Sequence, residues 1–253
     1  MQTLGVIPAR YASSRFPGKP LADIHGKPMV WWVYQRAKQA LELSDVIVAT
    51  DSERIAKACH DLDMKVVLTS AAHATPADRI HEVSDKIGAD LFVEINGDEP
   101  LIAPETISSV IPSGIDNDLP FVAGLYSVIT APVDAIDPTN LKVAVSRQGL
   151  GLYISRLPIP FPKGSSDFEY KKYVGVVAFN KKALDIYVEL PRGELESAED
   201  MDLLRFIENG IPVRFSRVDC EAVSVDTQKD LEIARRLLAP PPHTHSLTHS
   251  HSH

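Results

Sequence analysis

The chain has 253 residues, of which 44% are hydrophobic and 24% charged, so it can form a packed core and is unlike an intrinsically disordered protein. Its formal charge of −8 argues against broad binding to nucleic acids or anionic membranes, but it leaves room for a local cationic pocket. The sequence contains no run near the ~20 apolar residues of a membrane span. Its two cysteines show no disulfide or zinc spacing. We therefore expect a cytoplasmic globular protein with reduced thiols.

Strands and helices alternate through the first half of the chain. Short apolar runs predict strands and periodic stretches predict helices. The predicted order is strand 3–8, helix 29–40, strand 45–50, a helix capped by Asp51 or Ser52 that ends near 62, strand 65–69, helix 78–87, strand 91–96 and helix 104–111. This alternation is typical of a parallel sheet with helices on both faces, in which ligands bind at the carboxyl ends of the strands. The loops 9–20 and 97–100 should therefore lie side by side.

The pattern changes at residue 121. The second half predicts strands 121–128, 142–146, 152–155 and 173–179, helices 181–190 and 199–208, strand 213–218 and a final helix 227–238. We predict one domain over 1–239 with a smaller mixed lobe within about 121–180, where the interface of a dimer could lie. The segment 240–253, which holds five of the nine histidines, is expected to be a disordered tail.

The loop after the first strand is rich in positive charge. Arg10, Arg15 and Lys19 lie within ten residues, among serines and a glycine. Cations and exposed backbone N–H groups suit a polyphosphate. The loop has neither the G-x-x-x-x-G-K-[ST] nor the G-x-G-x-x-G spacing, so it is not one of the common nucleotide-binding loops. A solvated basic loop is the alternative interpretation.

Two carboxylates occupy positions that suit a divalent cation. Asp98 follows the apolar strand LFVEIN, and Asp226 precedes the final helix. Magnesium prefers one or two carboxylates together with the phosphate oxygens of a substrate. Helix or turn capping is the alternative for Asp98, for its neighbour Glu99 and for Asp226.

Several motifs carry a resemblance to a known family. They are IPARYASSRFPGKPLADIHGKPM at 7–29, IVATDSERI at 47–55, NGDEPLI at 96–102, DPTNLKV at 137–143, LYISRLPIP at 152–160 and VDTQKDLE at 225–232. Over nearly all of 3–238 the chain resembles the 3-deoxy-manno-octulosonate cytidylyltransferases. The resemblance implies a Rossmann-like nucleotidyltransferase sheet of the GT-A-like, mostly parallel kind. It also implies magnesium-dependent attack of an acidic sugar's anomeric hydroxyl on the α-phosphate of CTP, with release of pyrophosphate, in a homodimer.

The resemblance assigns roles to matching residues. The catalytic set is Arg15, Lys19, Asp98 and Asp226, of which the two aspartates would ligate magnesium. The nucleotide-binding set is Pro8, Ala9, Arg10, Ser13, Arg15, Lys19, Thr75, Arg79, Gly97 and Asp98. The candidate acceptor-binding set is Asn96, Lys142, Arg156, Tyr173, Glu196 and Glu199. Both glutamates belong to an acidic cluster that helix capping also explains.

The chain departs from the family pattern at several positions, mostly on the acceptor side. Asn96 replaces a glutamine, Tyr173 a histidine, Val177 a tyrosine and Leu203 a glutamine, and Pro76 interrupts a Ser-Gly-Thr-x-Arg run. Lost hydrogen-bonding side chains change specificity strongly. Other acceptors therefore stay open, including an amino derivative, another ulosonic acid or a small phosphonate. A different nucleotide, or a catalytically silent nucleotide- or sugar-binding regulator, also stays open.

Overall fold

The computed structural model describes residues 1–12, 16–165, 167–220 and 223–239. Within these residues the strands are β1 (Thr3–Pro8), β2 (Asp23–Ile24), β3 (Lys27–Pro28), β4 (Asp45–Thr50), β5 (Val66–Leu68), β6 (Leu91–Ile95), β7 (Val122–Val128), β8 (Lys142–Val145), β9 (Gly151–Ser155), β10 (Lys171–Asn180) and β11 (Arg214–Arg217). The α-helices are α1 (Met29–Ala37), α2 (Glu53–Asp61), α3 (Pro76–Lys86), α4 (Pro104–Ser108), α5 (Pro132–Ile136), α6 (Lys181–Glu189), α7 (Glu194–Glu199), α8 (Leu203–Glu208) and α9 (Gln228–Leu237). A short 3-10 helix, Lys19–Leu21, precedes β2.

A nine-stranded sheet organises the described part of the chain. Its main strands lie in the order β11–β7–β10–β6–β1–β4–β5, and the hairpin β8–β9 joins it through β10. Strand β1 pairs in parallel with β4 and β6, and β4 pairs in parallel with β5. Most side chains of these four strands are apolar on both faces of the sheet, because helices cover both sides. The predicted mostly parallel α/β sheet is confirmed.

Strand β10 reverses the direction at one side of this parallel group. It runs antiparallel to β6, β7 and β8. Its pairing with β6 places Val176 opposite Ile95, so the preceding residues of β10, including Tyr173, extend beyond the carboxyl end of β6. The pairing of β10 with β7 shifts between Val174 and Val177, and such an irregularity re-aims the side chains next to it.

Two hydrophobic layers enclose the sheet. One contains side chains of α1, α2 and α4, such as Val33, Ile55 and Ile107. The other contains side chains of α3, α6 and α8, such as Ile80 and Leu184. Each layer buries the apolar face of amphipathic helices against the sheet. None of the helices in the described ranges is long and apolar enough to cross a membrane.

Strands 3–8 and 45–50 were predicted with their observed bounds, whereas one helix prediction is wrong. The stretch 199–208 is not a single helix, because α7 ends at Glu199 and α8 begins at Leu203. Asp200 between them has φ 51°, a left-handed conformation that Asp tolerates better than most residues. Helix α5 and the β2–β3 hairpin are additional. The predicted tail at 240–253 lies outside the described residues, and the boundaries of the smaller lobe stay a prediction.

Candidate functional site

A cavity of about 360 Å³ opens at the carboxyl ends of β1 and β6. Ten residues of the predicted site lie on its wall: Pro8, Ala9, Arg10, Lys19, Thr75, Arg79, Asn96, Gly97, Asp98 and Asp226. Tyr173 and Glu196 from the predicted acceptor set also line it. Ser13 and Arg15 lie outside the described residues. The position of the cavity is the one expected for a ligand site in an open α/β sheet.

Lys19 joins the two predicted metal carboxylates. Its Nζ lies 2.8 Å from Oδ2 of Asp98 and 3.4 Å from Oδ1 of Asp226. The 3-10 helix presents Lys19 directly after Gly18, whose φ of 69° is a left-handed conformation that glycine adopts without strain. Two carboxylates that are 128 residues apart in sequence therefore share one cation at the cavity wall.

The backbone holds these carboxylates in place. The carbonyl oxygen of Asp98 accepts a 2.8 Å hydrogen bond from the N–H of Val225, which ties the loop after β6 to the segment before α9. Thr227 and Asp230 form a capping box at the start of α9. Gly97 passes so close to β1 that a Cβ there would lie 3.2 Å from the carbonyl oxygen of Pro8. These contacts bring the loops after β1 and β6 together, as expected.

Two buried carboxyl oxygens of the loop after β6 have no hydrogen-bond partner among the described residues. Oδ1 of Asp98 and Oε2 of Glu99 are buried, and neither accepts a hydrogen bond from any described residue. Burial, and then the negative charge of Asp98, raise the pKa of Glu99 to about 7. Buried oxygen atoms without partners are costly, and hard cations bind such oxygen ligands. Asp98 and Asp226 could therefore hold a divalent cation.

A second group of metal-type ligands lies on the outer surface of α3 and α6. His81 Nε2 lies 3.0 Å from Asp185 Oδ1, and Asp85 is close to both residues. Lys181 already pairs with both carboxylates, at 2.8 Å from Asp85. This group is an ion-pair network between two helices.

The segment 75–79 forms the start of α3. Thr75 is its N-cap and makes a capping box with Asp78, while Pro76 occupies the first turn. Proline is well suited to that turn because the N–H it lacks has no partner inside a helix. Arg79 is buried, donates to Thr69 and lies 3.4 Å from Asp51. The altered loop is thus an ordinary helix start that presents Thr75 and Arg79 to the cavity.

Three members of the predicted acceptor set lie elsewhere. Lys142 is fully buried, and its ammonium donates to the carbonyl oxygens of Asp137 (2.9 Å) and Arg156. Arg156 Nε donates to the carbonyl oxygen of Glu199, and the N–H of Arg156 donates to the Glu199 carboxylate. Burial lowers the pKa of Lys142. These three residues do not line the described cavity, so they form an internal network, and their role toward an acceptor stays a prediction.

Glu196 lines the cavity but already has a partner. Arg205 binds its carboxylate at 2.7 and 2.8 Å, and the guanidinium lies 3.9 Å from the Tyr187 ring centroid. Arg192 is not among the predicted site residues, but it reaches the cavity between Glu196 and Asp200. Arg192 lies in the connection before α7 and belongs to no motif, so the sequence does not identify it as a site residue.

Three further acids on the wall, Asp200 among them, were missed as site residues. Glu94 lies inside β6, and Asp202 lies between α7 and α8. Burial, followed by the charge of Asp202, raises the pKa of Glu94 well above its ordinary value. Burial also raises the pKa of Asp202, to about 6. Glu94 could have been recognised in the sequence, because it is a charged residue within the apolar run LFVEIN.

Comparisons with known proteins agree on one family. A family model described as cytidylyltransferase matches residues 4–218. The 3-deoxy-manno-octulosonate cytidylyltransferase of Lawsonia intracellularis is 43% identical over 93% of this chain and 93% of its own. That of Escherichia coli is 40% identical over 92% and 95%. The 8-amino-3,8-dideoxy-manno-octulosonate cytidylyltransferase of Shewanella piezotolerans is also 40% identical, over 92% and 97%.

Solved structures resemble most of the chain. A CMP:2-keto-3-deoxy-manno-octonic acid synthetase complexed with CTP aligns with a TM-score of 0.87 and 39% identity, over 94% of this chain and 98% of its own. An inositol-1-phosphate CTP transferase from T. maritima aligns with a TM-score of 0.69 at 15% identity, over 93% and 94%. The second similarity concerns the fold alone.

Proposed function

The chain belongs to the cytidylyltransferase family, and from that premise we propose that it transfers the cytidylyl group of CTP to 3-deoxy-manno-octulosonate, releasing pyrophosphate. The observation that carries the proposal is the junction of Lys19 with Asp98 and Asp226 at the cavity wall. Attack at phosphorus requires in-line positioning and neutralisation of charge, with no covalent nucleophile. The cavity provides cations for the phosphates and acids for a metal ion.

Different residues of the cavity would bind the different parts of CTP. Arg10 and Lys19, both on the cavity wall, would bind phosphate oxygens, together with Arg15 and Ser13 as the sequence predicts. Thr75 and Arg79, at the start of α3, would contact the rest of the nucleotide. The pairing of Lys19 with two carboxylates holds its ammonium group at the cavity wall.

Magnesium is the proposed cofactor. The donor set fits it, because Asp98 and Asp226 supply carboxylate oxygens and Oδ1 of Asp98 is buried without a described partner. When bound, the ion would neutralise charge on the triphosphate and lower the pKa of the attacking hydroxyl. The aspartates would hold it, and Lys19 would then be released from one or both carboxylates to reach a phosphate.

A homodimer and a cytoplasmic location complete the proposal. Exposed apolar side chains of the smaller lobe, among them Val133, Leu157 and Phe161, could be covered by a second copy. The reaction takes place where CTP is available, and we propose the cytoplasm as that compartment.

The test is a pyrophosphate-release assay with the purified chain. CTP, UTP, ATP and GTP are each offered with 3-deoxy-manno-octulosonate, its 8-amino derivative, a sialic acid and a small phosphonate. We expect turnover that requires CTP, the octulosonate and Mg²⁺, and that EDTA abolishes. Tight CTP binding without turnover on any acid would favour the silent regulator, and preference for another nucleotide would contradict the proposed donor.

A further inference from the structure

Glu94 occupies a position where the sheet would bury an apolar side chain. Its neighbours Val93 and Ile95 are in the core, and Val177 of β10 lies opposite it. Glu94 is 5% exposed. None of the described residues makes a hydrogen bond or an ion pair with its carboxyl group. A carboxyl group in such a position without a partner is destabilising, and a ligand that pairs with it could offset this cost.

Asp202 faces the same cavity and is also incompletely satisfied. Its Oδ2 is buried and accepts no hydrogen bond from the described residues. The cation nearest in sequence, Arg205, is engaged by Glu196 at 2.7 Å. Both acids therefore line the same cavity, Glu94 from β6 and Asp202 from the residue that precedes α8.

The charge distribution in the cavity sets how an acidic sugar would enter it. An ulosonic acid carries its carboxylate and its anomeric hydroxyl on the same carbon. With that hydroxyl toward the α-phosphate, the carboxylate would be attracted to the cations of the loop after β1, Arg10 and Lys19, which line the cavity. The polyhydroxyl chain would then extend toward the wall that carries Glu94 and Asp202, whose carboxyl oxygens accept hydrogen bonds from hydroxyl groups.

We propose that Glu94 is a specificity-determining residue that, with Asp202, accepts hydrogen bonds from donor groups on the acceptor's polyhydroxyl chain. This inference rests on the proposed function and extends it to the part of the acceptor far from the reacting atoms. A polar site of this kind discriminates against a substrate that lacks the donor, because the carboxyl groups are then left unpaired. An ammonium group at the same place of the acceptor would bind through the same oxygens, with an additional charge interaction.

The kinetic test compares Glu94→Leu, Glu94→Gln and the exposed control Glu105→Gln. For Glu94→Leu we expect the KM for 3-deoxy-manno-octulosonate to rise about tenfold or more and the KM for CTP to stay within about twofold of the parent value. Glu94→Gln retains one oxygen acceptor, so its KM for 3-deoxy-manno-octulosonate should rise less. Glu105→Gln should have the same KM values as the parent. With an acceptor from which the terminal hydroxyl has been removed, the parent and Glu94→Leu should have similar KM values for that acceptor. With the 8-amino acceptor, Glu94→Leu should raise the acceptor KM by a larger factor than with 3-deoxy-manno-octulosonate.

A stability measurement separates this role from a structural one. Without substrates, Glu94→Leu should melt at the same or a higher temperature than the parent, because an apolar side chain replaces an unpaired buried carboxyl. An unchanged acceptor KM in Glu94→Leu, an equal rise in the CTP KM, or a Tm several degrees below the parent would overturn the inference while the parent still turns over. Absence of turnover in the parent itself would instead refute the proposed function.

Discussion

Asp98 and Asp226 depend on the same lysine, which makes each a sensitive point for substitution. Asp98→Asn and Asp226→Asn keep the side-chain shape but remove a ligand charge, so each should lower kcat at least about a hundredfold. The unfolding midpoint should change little, since removal of one carboxylate relieves repelling charge. Steady-state kinetics at saturating Mg²⁺ and CTP measure the first effect, and thermal unfolding measures the second. The exposed control Asp118→Asn should retain the parent rate, and parent-like turnover in either active-site variant would refute the metal assignment.

The sequence could indicate this pair because each acid adjoins a recognisable boundary. Asp98 follows the end of a buried strand, and Asp226 precedes a helix start with a Thr-x-x-Asp capping pattern. Glu94 was harder to assign, because its position in a strand says that it is buried but not that a cavity lies beside it. The cavity is lined by β6, β10 and the connection between α7 and α8, which are far apart in sequence.

At the scale of elements, a buried ion pair connects α7 to α8. Glu196 is fully buried in α7, and Arg205 in α8 binds it while stacking on Tyr187. Glu196→Gln leaves the guanidinium without a charged partner, so we expect the free energy of unfolding to fall by about 3–5 kcal/mol. Urea denaturation measures the loss. The exposed pair of Lys57 with Asp61 provides the control.

Asp61→Asn removes one partner of that exposed pair and should cost at most about 0.5 kcal/mol, because solvent screens the interaction. Equal losses in Asp61→Asn and Glu196→Gln would contradict the idea that burial makes the α7–α8 pair important.

The same pair explains why a single helix over 199–208 was the wrong prediction. The helical periodicity of the acidic stretch continues across the break, and Asp200 is a residue type that ordinary helices accept. What interrupts the helix is tertiary: the chain reverses so that Glu196 meets Arg205 and Asp202 reaches the cavity wall. By contrast, the strands 3–8 and 45–50 were predictable because their apolar runs are bounded by turn residues and both faces are buried.

At the scale of the whole molecule, the acids at the cavity should make stability depend on pH in an unusual direction. The pKa of Asp202 rises from 3.8 to about 6 in the folded protein, mainly through burial. Between these values the unfolded chain releases a proton that the folded protein keeps, so the free energy of unfolding falls as pH rises through that window. Glu94 shifts in the same direction.

We therefore expect the ligand-free protein to be more stable at pH 5 than at pH 7.5, with Asp202 contributing roughly 1–2 kcal/mol of the difference. Urea denaturation at the two values measures it. Asp202→Asn should reduce the difference, whereas the formal charge of −8 acts on parent and variant almost alike. The same pH difference in both proteins would contradict the assignment to Asp202.

The smaller lobe carries a high share of the exposed apolar side chains found in the described residues. Phe161 is 84% exposed, and Val133, Ile136, Leu152 and Leu157 are exposed on the same lobe. A protein without a partner rarely exposes so many apolar side chains in one region.

If the lobe forms the proposed dimer, Phe161→Glu should place an unpaired charge in the interface and shift the protein toward monomer in light-scattering chromatography. Leu41→Glu changes an equally exposed side chain, 93% exposed, outside the lobe and should leave the assembly unchanged. A monomeric parent at micromolar concentration would refute the dimer. A Phe161→Glu variant that stays dimeric would show that the interface lies on another surface.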